Sequence, residues 1–351
     1  MDKNWSEMNK EMQALIAKKA TFRDGIHKLI ELRRTLFEQI TQIVMTFPEE
    51  AFYQMPFAGS DGYHAKTLAY SIWHIFRIED IVAHEMIAGN QQVLFEQGFS
   101  ETVRSPIITT GNELSGNKIA EFSEQLNIKE LYRYAQEVMK STDQILMQME
   151  YPDLKRQFGE EMRTKLKCTG CISKNENAVW LIEYWCGKDI LGLIRMPFSR
   201  HWIMHIEAMQ RIRNKLCRMA RKGADPVAYC GLSCSHCFLA MWCGSCRTVY
   251  NTCSFATVSP DGQCPNVSCC QAKGIDGCYA CESLEICEKG FYIPSNDGAN
   301  AAKAQAMYIR KHGKKEFLKV HDRLHQKYDF AKTQEILGQD FKEGLRILEE
   351  N

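Results

Sequence analysis

Apolar residues recur every three or four positions through most of residues 1–220, which is the spacing of amphipathic helices. The longest stripe runs from Phe22 to Ile43 and predicts a helix that ends before Pro48. The same spacing predicts further long helices over about 62–88, 118–149 and 198–220, with a short inserted helix over 176–195 that Pro197 is expected to end. Few segments alternate as strands do. Four long helices with substantial connections indicate a helix bundle over residues 1–222.

Residues 226–293 have a different composition, because cysteine, glycine and short polar turns dominate and aliphatic residues are sparse. A segment of this size usually needs cross-links or bound metal to fold. Helical spacing returns over residues 294–351, which end in the mixed-charge segment FKEGLRILEEN that we expect to be exposed. The predicted fold class is therefore mainly α: a four-helix bundle, a small cysteine-rich metal-binding domain and a helical C-terminal extension.

The charges of the chain nearly cancel, with 44 Lys and Arg against 43 Asp and Glu. Such a balance gives no field that would attract nucleic acid or an anionic membrane surface. The segment MDKNWSEMNKEMQALIAKKA has no apolar leader region, and no apolar run approaches the roughly 20 residues that cross a bilayer. We expect a soluble cytoplasmic protein with no nucleic-acid or membrane partner, and we consider a homodimer as its assembly.

Twelve of the sixteen cysteines lie between Cys230 and Cys287. Because cytosolic thiols stay reduced, such a cluster indicates metal binding or catalysis rather than disulfides. Three CxxC units can each place two thiolates on one ion, and two such units complete a tetrahedral site for zinc or iron. The candidate ligands are Cys230, Cys234, Cys237, Cys243, Cys246, Cys264, Cys269, Cys278, Cys281 and Cys287. The spacing leaves open whether they hold zinc or an iron–sulfur cluster.

Two other interpretations of this cluster are weaker. Cys230, Cys234 and Cys237 have the C-x3-C-x2-C spacing of radical S-adenosylmethionine enzymes, but a short cysteine-rich segment follows where a barrel is needed. A slight excess of acidic residues argues against a DNA-reading zinc finger.

The remaining cysteines lie within the helical region. Cys168 and Cys171 form a CxxC without a thioredoxin-like context, so a zinc half-site or no role is favoured over redox catalysis. Cys186 and Cys217 occupy apolar helical positions and are expected to be small core residues.

Three histidines are placed to share an ion. His201 and His205 are four residues apart and project from one helix face, and His74 lies on an apolar stripe of the second predicted helix. Spacing alone leaves a hydrogen-bonded core histidine as the alternative. Glu79 follows His74 by five residues and is a candidate base or partner to the ligands, with a solvent-facing or salt-bridged glutamate as the alternative.

A second H-x3-H pair, His321 and His325, occurs in HDRLH. A zinc protease needs Glu after the first histidine, and here Asp322 stands in that place. Charged neighbours such as Lys319 and Lys327 predict an exposed helix rather than a metal site.

The segments AYSIWHIFRIEDIVAHEMIAG and RHWIMHIEAMQRI make residues 20–220 resemble the DinB/YfiT superfamily. The resemblance implies a four-helix bundle in which one histidine of the second helix and an H-x3-H pair of the last helix hold a metal. His74, His201 and His205 match that pattern. It also implies a divalent ion such as Zn, Ni or Fe and, by analogy with the better-understood branches, activation of a low-molecular-weight thiol.

The segment 229–290 resembles an uncharacterised bacterial and archaeal cysteine-rich family that begins with YCGLxCxxC. The chain departs from that family at Ser268-Cys269-Cys270 and at Ile286. This resemblance implies an architecture without an activity. The DinB/YfiT resemblance therefore implies a metal-dependent, thiol-activating, transferase-like enzyme that acts on a thiol or another small molecule. A redox, sensing or electron-transfer protein with an iron–sulfur cluster, or a zinc-stabilised interaction module, is the alternative.

Overall fold

The computed structural model describes residues 3–60, 64–237, 243–250, 253, 256, 259, 262–293 and 297–351. These residues are mainly helical and form no strand, only a single bridge between Val227 and Ser233, which confirms the mainly α prediction. Within the described residues, no helix is long and apolar enough to span a membrane. The chain divides into two compact units, Met1–Val44 with Glu49–Ile212, and Met45–Pro48 with Arg213–Asn351.

The first unit contains the long helices that carry the apolar stripes. Its α-helices, in chain order, are α1 (Lys3–Ile16), α2 (Phe22–Thr46), α3 (Leu68–Asp80), α4 (Val93–Glu96), α5 (Phe99–Thr102), α6 (Asn117–Gln125), α7 (Ile128–Gln148), α8 (Glu160–Cys168), α9 (Glu176–Cys186), α10 (Ile190–Arg195) and α11 (His201–Arg221), the last of which continues beyond the unit. Two π-helical segments, Ile81–Ala88 and Met196–Arg200, extend α3 and precede α11.

Two predicted helices are each broken in two by a capping residue. The predicted helix over 118–149 is interrupted because Leu126 is extended, and Asn127 then caps α7 by accepting a hydrogen bond from the Glu130 amide. The predicted helix over 176–195 is interrupted at Gly187, and Asp189 caps α10 in the same way. Pro197 does not stop the chain's helical path, since it lies in the first turn of a π-helical segment, where a missing N–H is tolerated.

Four helices of the first unit, α2, α3, α7 and α11, meet at one buried ion pair. The Arg33 guanidinium of α2 donates to both carboxylate oxygens of Glu79 on α3, at 2.8 and 2.7 Å, and to Asp143 on α7 at 2.7 Å. The Trp202 indole of α11 donates to Glu79 at 2.8 Å, and the Arg33 guanidinium lies 4.6 Å from the Trp202 ring centre. A buried charge is tolerated only when it is paired and hydrogen-bonded, so this cluster fixes how the helices align.

The second unit consists of the cysteine-rich segment and the C-terminal helices. Its later α-helices are α12 (Pro265–Ala272), α13 (Asp297–His312), α14 (Lys314–Lys327), α15 (Phe330–Gly338) and α16 (Phe341–Glu350). One apolar cluster contains Val227, Tyr279, Leu284 and Tyr292 from the cysteine-rich segment together with Phe317 and other residues of the helices. The tail therefore supplies apolar surface that the cysteine-rich segment lacks.

Two glycines show how closely these parts approach. Gly231, in the YCGLSC turn, has φ +94°, and a Cβ there would lie 2.7 Å from the Cβ of Ala306 on α13. Gly344 of α16 is buried against Leu337 and Ala304. The final segment FKEGLRILEEN is consequently amphipathic rather than exposed, because Gly344 and Leu348 are buried while its charged residues face outward.

Candidate metal centre

The three predicted histidine ligands converge inside the first unit. The ring centres of His74 and His201 are 5.1 Å apart, those of His74 and His205 are 4.8 Å apart, and those of His201 and His205 are 4.5 Å apart. One nitrogen from each ring lies within 4.8 Å of the others. Bonds of about 2.0–2.1 Å to a tetrahedral ion would place such nitrogens about 3.4 Å apart, so small ring rotations are enough.

A main-chain hydrogen bond fixes the protonation of one of these rings. His74 Nδ1 lies 2.8 Å from the Thr110 carbonyl oxygen. Because a carbonyl can only accept, Nδ1 carries the proton and the lone pair of the neutral imidazole is on Nε2. The loop that carries Thr110 is itself held by α3, since the Tyr70 hydroxyl donates to the Gly111 carbonyl at 3.0 Å and the Trp73 indole to the Thr109 carbonyl at 3.0 Å.

Burial keeps all three imidazoles uncharged at neutral pH. Loss of solvent lowers the pKa of His74 to about 4 and places the pKa of both His201 and His205 well below 6.5. His201 Nδ1 is buried and has no hydrogen-bond partner. A buried unsatisfied nitrogen is costly, and three neutral imidazoles are a donor set that suits a divalent transition metal, so these residues fit such an ion.

Glu79 forms a buried salt bridge, which is one of the alternatives that the sequence left open. Its carboxylate accepts from Arg33 and Trp202 and is fully buried. Trp202 is adjacent to His201 in the chain, so this carboxylate orients the helix that carries two of the candidate ligands. In this geometry Glu79 is a positioning residue, and its predicted role as a base stays a prediction.

The candidate cysteine ligands line two separate cavities of the second unit. The first, of about 100 Å³, is lined by the seven residues Cys230, Cys234, Cys237, Cys243, Cys246, Cys253 and Cys264. The second, of about 330 Å³, is lined by the five residues Cys269, Cys270, Cys278, Cys281 and Cys287. The sixteen cysteines all lie within the described residues, and none is joined to another by a disulfide.

These cysteines come together as pairs rather than as a closed metal cage. The Cys270 and Cys278 sulfurs are 3.7 Å apart, and a hydrogen bond from Cys270 lowers the pKa of the Cys278 thiol. Cys253 acts in the same way on Cys264. Burial raises the pKa of Cys234 to about 12 and that of Cys246 to about 11. Within the part of the chain that the structure describes, only the three histidines gather their ligand atoms within 4.8 Å.

The other cysteines lie apart from these cavities. Cys168 is exposed, whereas Cys171 is buried and its sulfur accepts a hydrogen bond from Gln92 at 3.3 Å. Cys186 and Cys217 are buried, as predicted for core residues.

The second H-x3-H pair differs from the prediction of an exposed helix. His321 is 2 % exposed and His325 is half-buried, and their ring centres are 4.5 Å apart. The reason is a contact that the sequence does not predict: His236 of the cysteine-rich segment packs on His325 with ring centres 4.3 Å apart. The roles of Thr110 and Arg33 were not predicted either. Arg33 did give a signal, since a charged residue stands in the apolar stripe between Leu29 and Leu36.

Comparison with known protein families, with curated proteins and with solved structures finds no match to this chain.

Proposed function

We propose that this chain is a metal-dependent enzyme of the DinB/YfiT type in which His74, His201 and His205 hold a divalent ion and a low-molecular-weight thiol is the nucleophile. The observation that carries the proposal is the convergence of three buried, neutral imidazoles, one of them fixed in a single tautomer by a main-chain carbonyl. An ion held by three imidazoles keeps an open position and lowers the pKa of a thiol that binds there.

The residues around the histidines have supporting roles. Thr110 holds the proton on His74 Nδ1, so that the lone pair of Nε2 would be free to bind the ion. Arg33, Glu79 and Trp202 fix α11 against α3, so that only small ring rotations are needed when the ion binds. Lys66 is half-buried, which lowers the pKa of its ammonium, and its charge acts on His74 and His205. We assign Lys66 to attraction of the anionic thiolate.

In the second unit we propose a structural zinc or iron–sulfur site made by the cysteines. The division of the candidates between two cavities supports two ligand sets, one around the Cys234/Cys237 and Cys243/Cys246 pairs and one around Cys278/Cys281. Deprotonation of buried thiols by a bound ion couples metal binding to folding in such segments.

The test is anaerobic purification followed by elemental analysis of wild type, His201→Ala and Cys234→Ala. We expect His201→Ala to lose one divalent ion per chain, whereas His27→Ala, at an exposed histidine of α2, keeps it. A low-molecular-weight thiol should then change the visible spectrum of the cobalt-substituted wild type but not that of His201→Ala. Equal metal content in His201→Ala and wild type, or a spectrum that no thiol changes, would contradict the enzyme proposal.

A redox, sensing or electron-transfer protein is the second candidate, and the two cysteine-lined cavities favour it. Brown protein with stoichiometric iron and acid-labile sulfide that Cys234→Ala abolishes would support this candidate. Colourless protein that holds only zinc and is unchanged by His74→Ala would instead support a zinc-stabilised interaction module.

A further inference from the structure

A second group of three histidines lies in the second unit, outside the candidate sites described so far. His321 and His325 are one turn apart on α14, and His236 comes from the turn between Cys234 and Cys237. Their ring centres are 4.3 Å apart for His236 and His325, 4.5 Å for His321 and His325, and 5.5 Å for His236 and His321. These ring-centre separations overlap those of the first trio, which range from 4.5 to 5.1 Å, but among the described residues only the first trio has its ligand atoms within 4.8 Å of one another.

Two ring nitrogens in this group are buried and unsatisfied. His321 Nδ1 and His325 Nε2 are both inaccessible to solvent and have no hydrogen-bond partner. Such atoms normally carry a free-energy penalty, and a bound ion is one of the few ligands that removes it at two nitrogens together. Loss of solvent lowers the pKa of His321 to about 3 and also lowers the pKa of His325, so both rings are neutral ligands at pH 7.

A carboxylate holds the third ring. His236 Nε2 lies 2.7 Å from Asp322 Oδ1, and because the carboxylate accepts, Nε2 carries the proton and Nδ1 has the lone pair. Pairing of a ligand histidine with a carboxylate is the usual support of a metal-bound imidazole. Asp322, which argued against a zinc protease at this motif, is therefore well placed as an orienting partner.

We propose that His236, His321 and His325 form a second binding site for a divalent transition metal such as Zn²⁺ or Ni²⁺, with Asp322 orienting His236. The site goes beyond the proposed enzyme function, and it clamps the cysteine-rich segment to α14. In the structure His236 and His325 stack at 11°, so binding requires the His236 ring to turn about its side-chain bonds. About one third of the His236 side chain is exposed, which leaves room for that rotation.

The test is equilibrium dialysis of the reduced full-length chain against Zn²⁺, with every variant made on a His201→Ala background so that the first trio does not contribute. We expect His321→Gln and His325→Gln each to bind one Zn²⁺ fewer per chain than the background. The matched control is His312→Gln, at an exposed histidine of the neighbouring helix α13, which should bind as many ions as the background. Circular dichroism checks that each variant is folded. If the buried substitution His321→Gln prevents folding, the result for His325→Gln, at the half-buried position, decides the test.

A second readout separates this site from the cysteine sites. With Co²⁺ as the probe, the ion lost in His325→Gln should take no thiolate-to-cobalt charge-transfer absorption with it, because its ligands are nitrogens. Unchanged Zn²⁺ binding in folded His325→Gln would overturn the proposal, as would equal loss in His312→Gln. Loss of charge-transfer absorption together with the ion would also overturn it, since that ion would be held by cysteines. None of these outcomes depends on whether the first trio is catalytic.

Discussion

The two histidine trios share a sequence pattern but differ in what surrounds them. Each combines an H-x3-H pair on one helix with a third histidine from elsewhere in its unit. The first is packed in apolar helices and oriented by the main-chain carbonyl of Thr110, whereas the second is partly open and oriented by the side chain of Asp322. The same H-x3-H spacing therefore occurs both in a buried group of histidines and in a partly exposed one, and the residues around it decide which.

The largest effect is expected from the charge network that makes the first trio rigid. Arg33→Met leaves the buried carboxylate of Glu79 without its partner, so the free energy of unfolding should fall by about 3–5 kcal/mol in urea denaturation. Arg34→Met, at the exposed neighbouring position, should change it by less than about 0.5 kcal/mol. Equal effects in the two variants would mean that the network does not hold the helices.

The second unit should be sensitive at its closest backbone approach instead. Gly231→Ala places a methyl group against Ala306 in a left-handed conformation and should destabilise the chain by roughly 1–3 kcal/mol. Gly223 has a similar φ, +88°, with no atom within 4 Å of an added Cβ. Gly223→Ala therefore measures the loss of stability that comes from the left-handed backbone alone, without a steric contact. If both variants unfold at the same urea concentration, the contact between the YCGLSC turn and α13 contributes nothing.

Acid should destabilise the metal-free protein through the first trio. The unfolded chain binds a proton at His74 with a pKa near 6.5, whereas burial holds the folded pKa at about 4. Stability from this group is therefore nearly complete at pH 7 and falls as the pH drops towards 4, by about 2 kcal/mol between pH 7 and pH 5. Urea denaturation in EDTA should show that the free energy of unfolding falls less between pH 7 and pH 5 in His74→Gln than in His27→Gln. An identical loss in both would contradict the assignment.

The smallest effect concerns ligand orientation, and it compares the two trios directly. Tyr70→Phe removes the hydroxyl that holds the loop of Thr110, and we expect metal at the first trio to bind about tenfold more weakly. Asp322→Asn should weaken metal at the second trio by a similar factor and leave the first unchanged. Competition with a chromophoric chelator measures both affinities. A change at the wrong trio in either variant would show that the two sites are not independent.

Local periodicity predicted most of the helices and the first trio, because His201 and His205 share a helix face and His74 lies on an apolar stripe. It could not predict the breaks at Leu126 and Gly187, which depend on single caps. It also could not place Thr110, since that contact depends on the path of a loop 36 residues away from His74.

The second trio was misjudged for a physical reason. Charged neighbours do face solvent on α14, but the opposite side of the same helix packs with Phe317, Val320 and Leu324 in the core. His321 belongs to that buried side, which the high local charge concealed. Its partner His236 lies 85 residues earlier in the chain, at a separation that periodicity does not reach.

The shared core of the second unit has a consequence for the order of events during synthesis. The YCGLSC turn leaves the ribosome before α13–α16, yet Gly231 packs on Ala306 and the apolar cluster extends to Leu348. Until these helices have been synthesised, the apolar residues of the cysteine-rich segment lack their packing partners, although every residue that lines the two cavities, all within 228–292, is already in place. All twelve cysteines of this segment are therefore synthesised before the helices that complete its apolar cluster, so an ion bound early would hold the segment together until those helices pack on it.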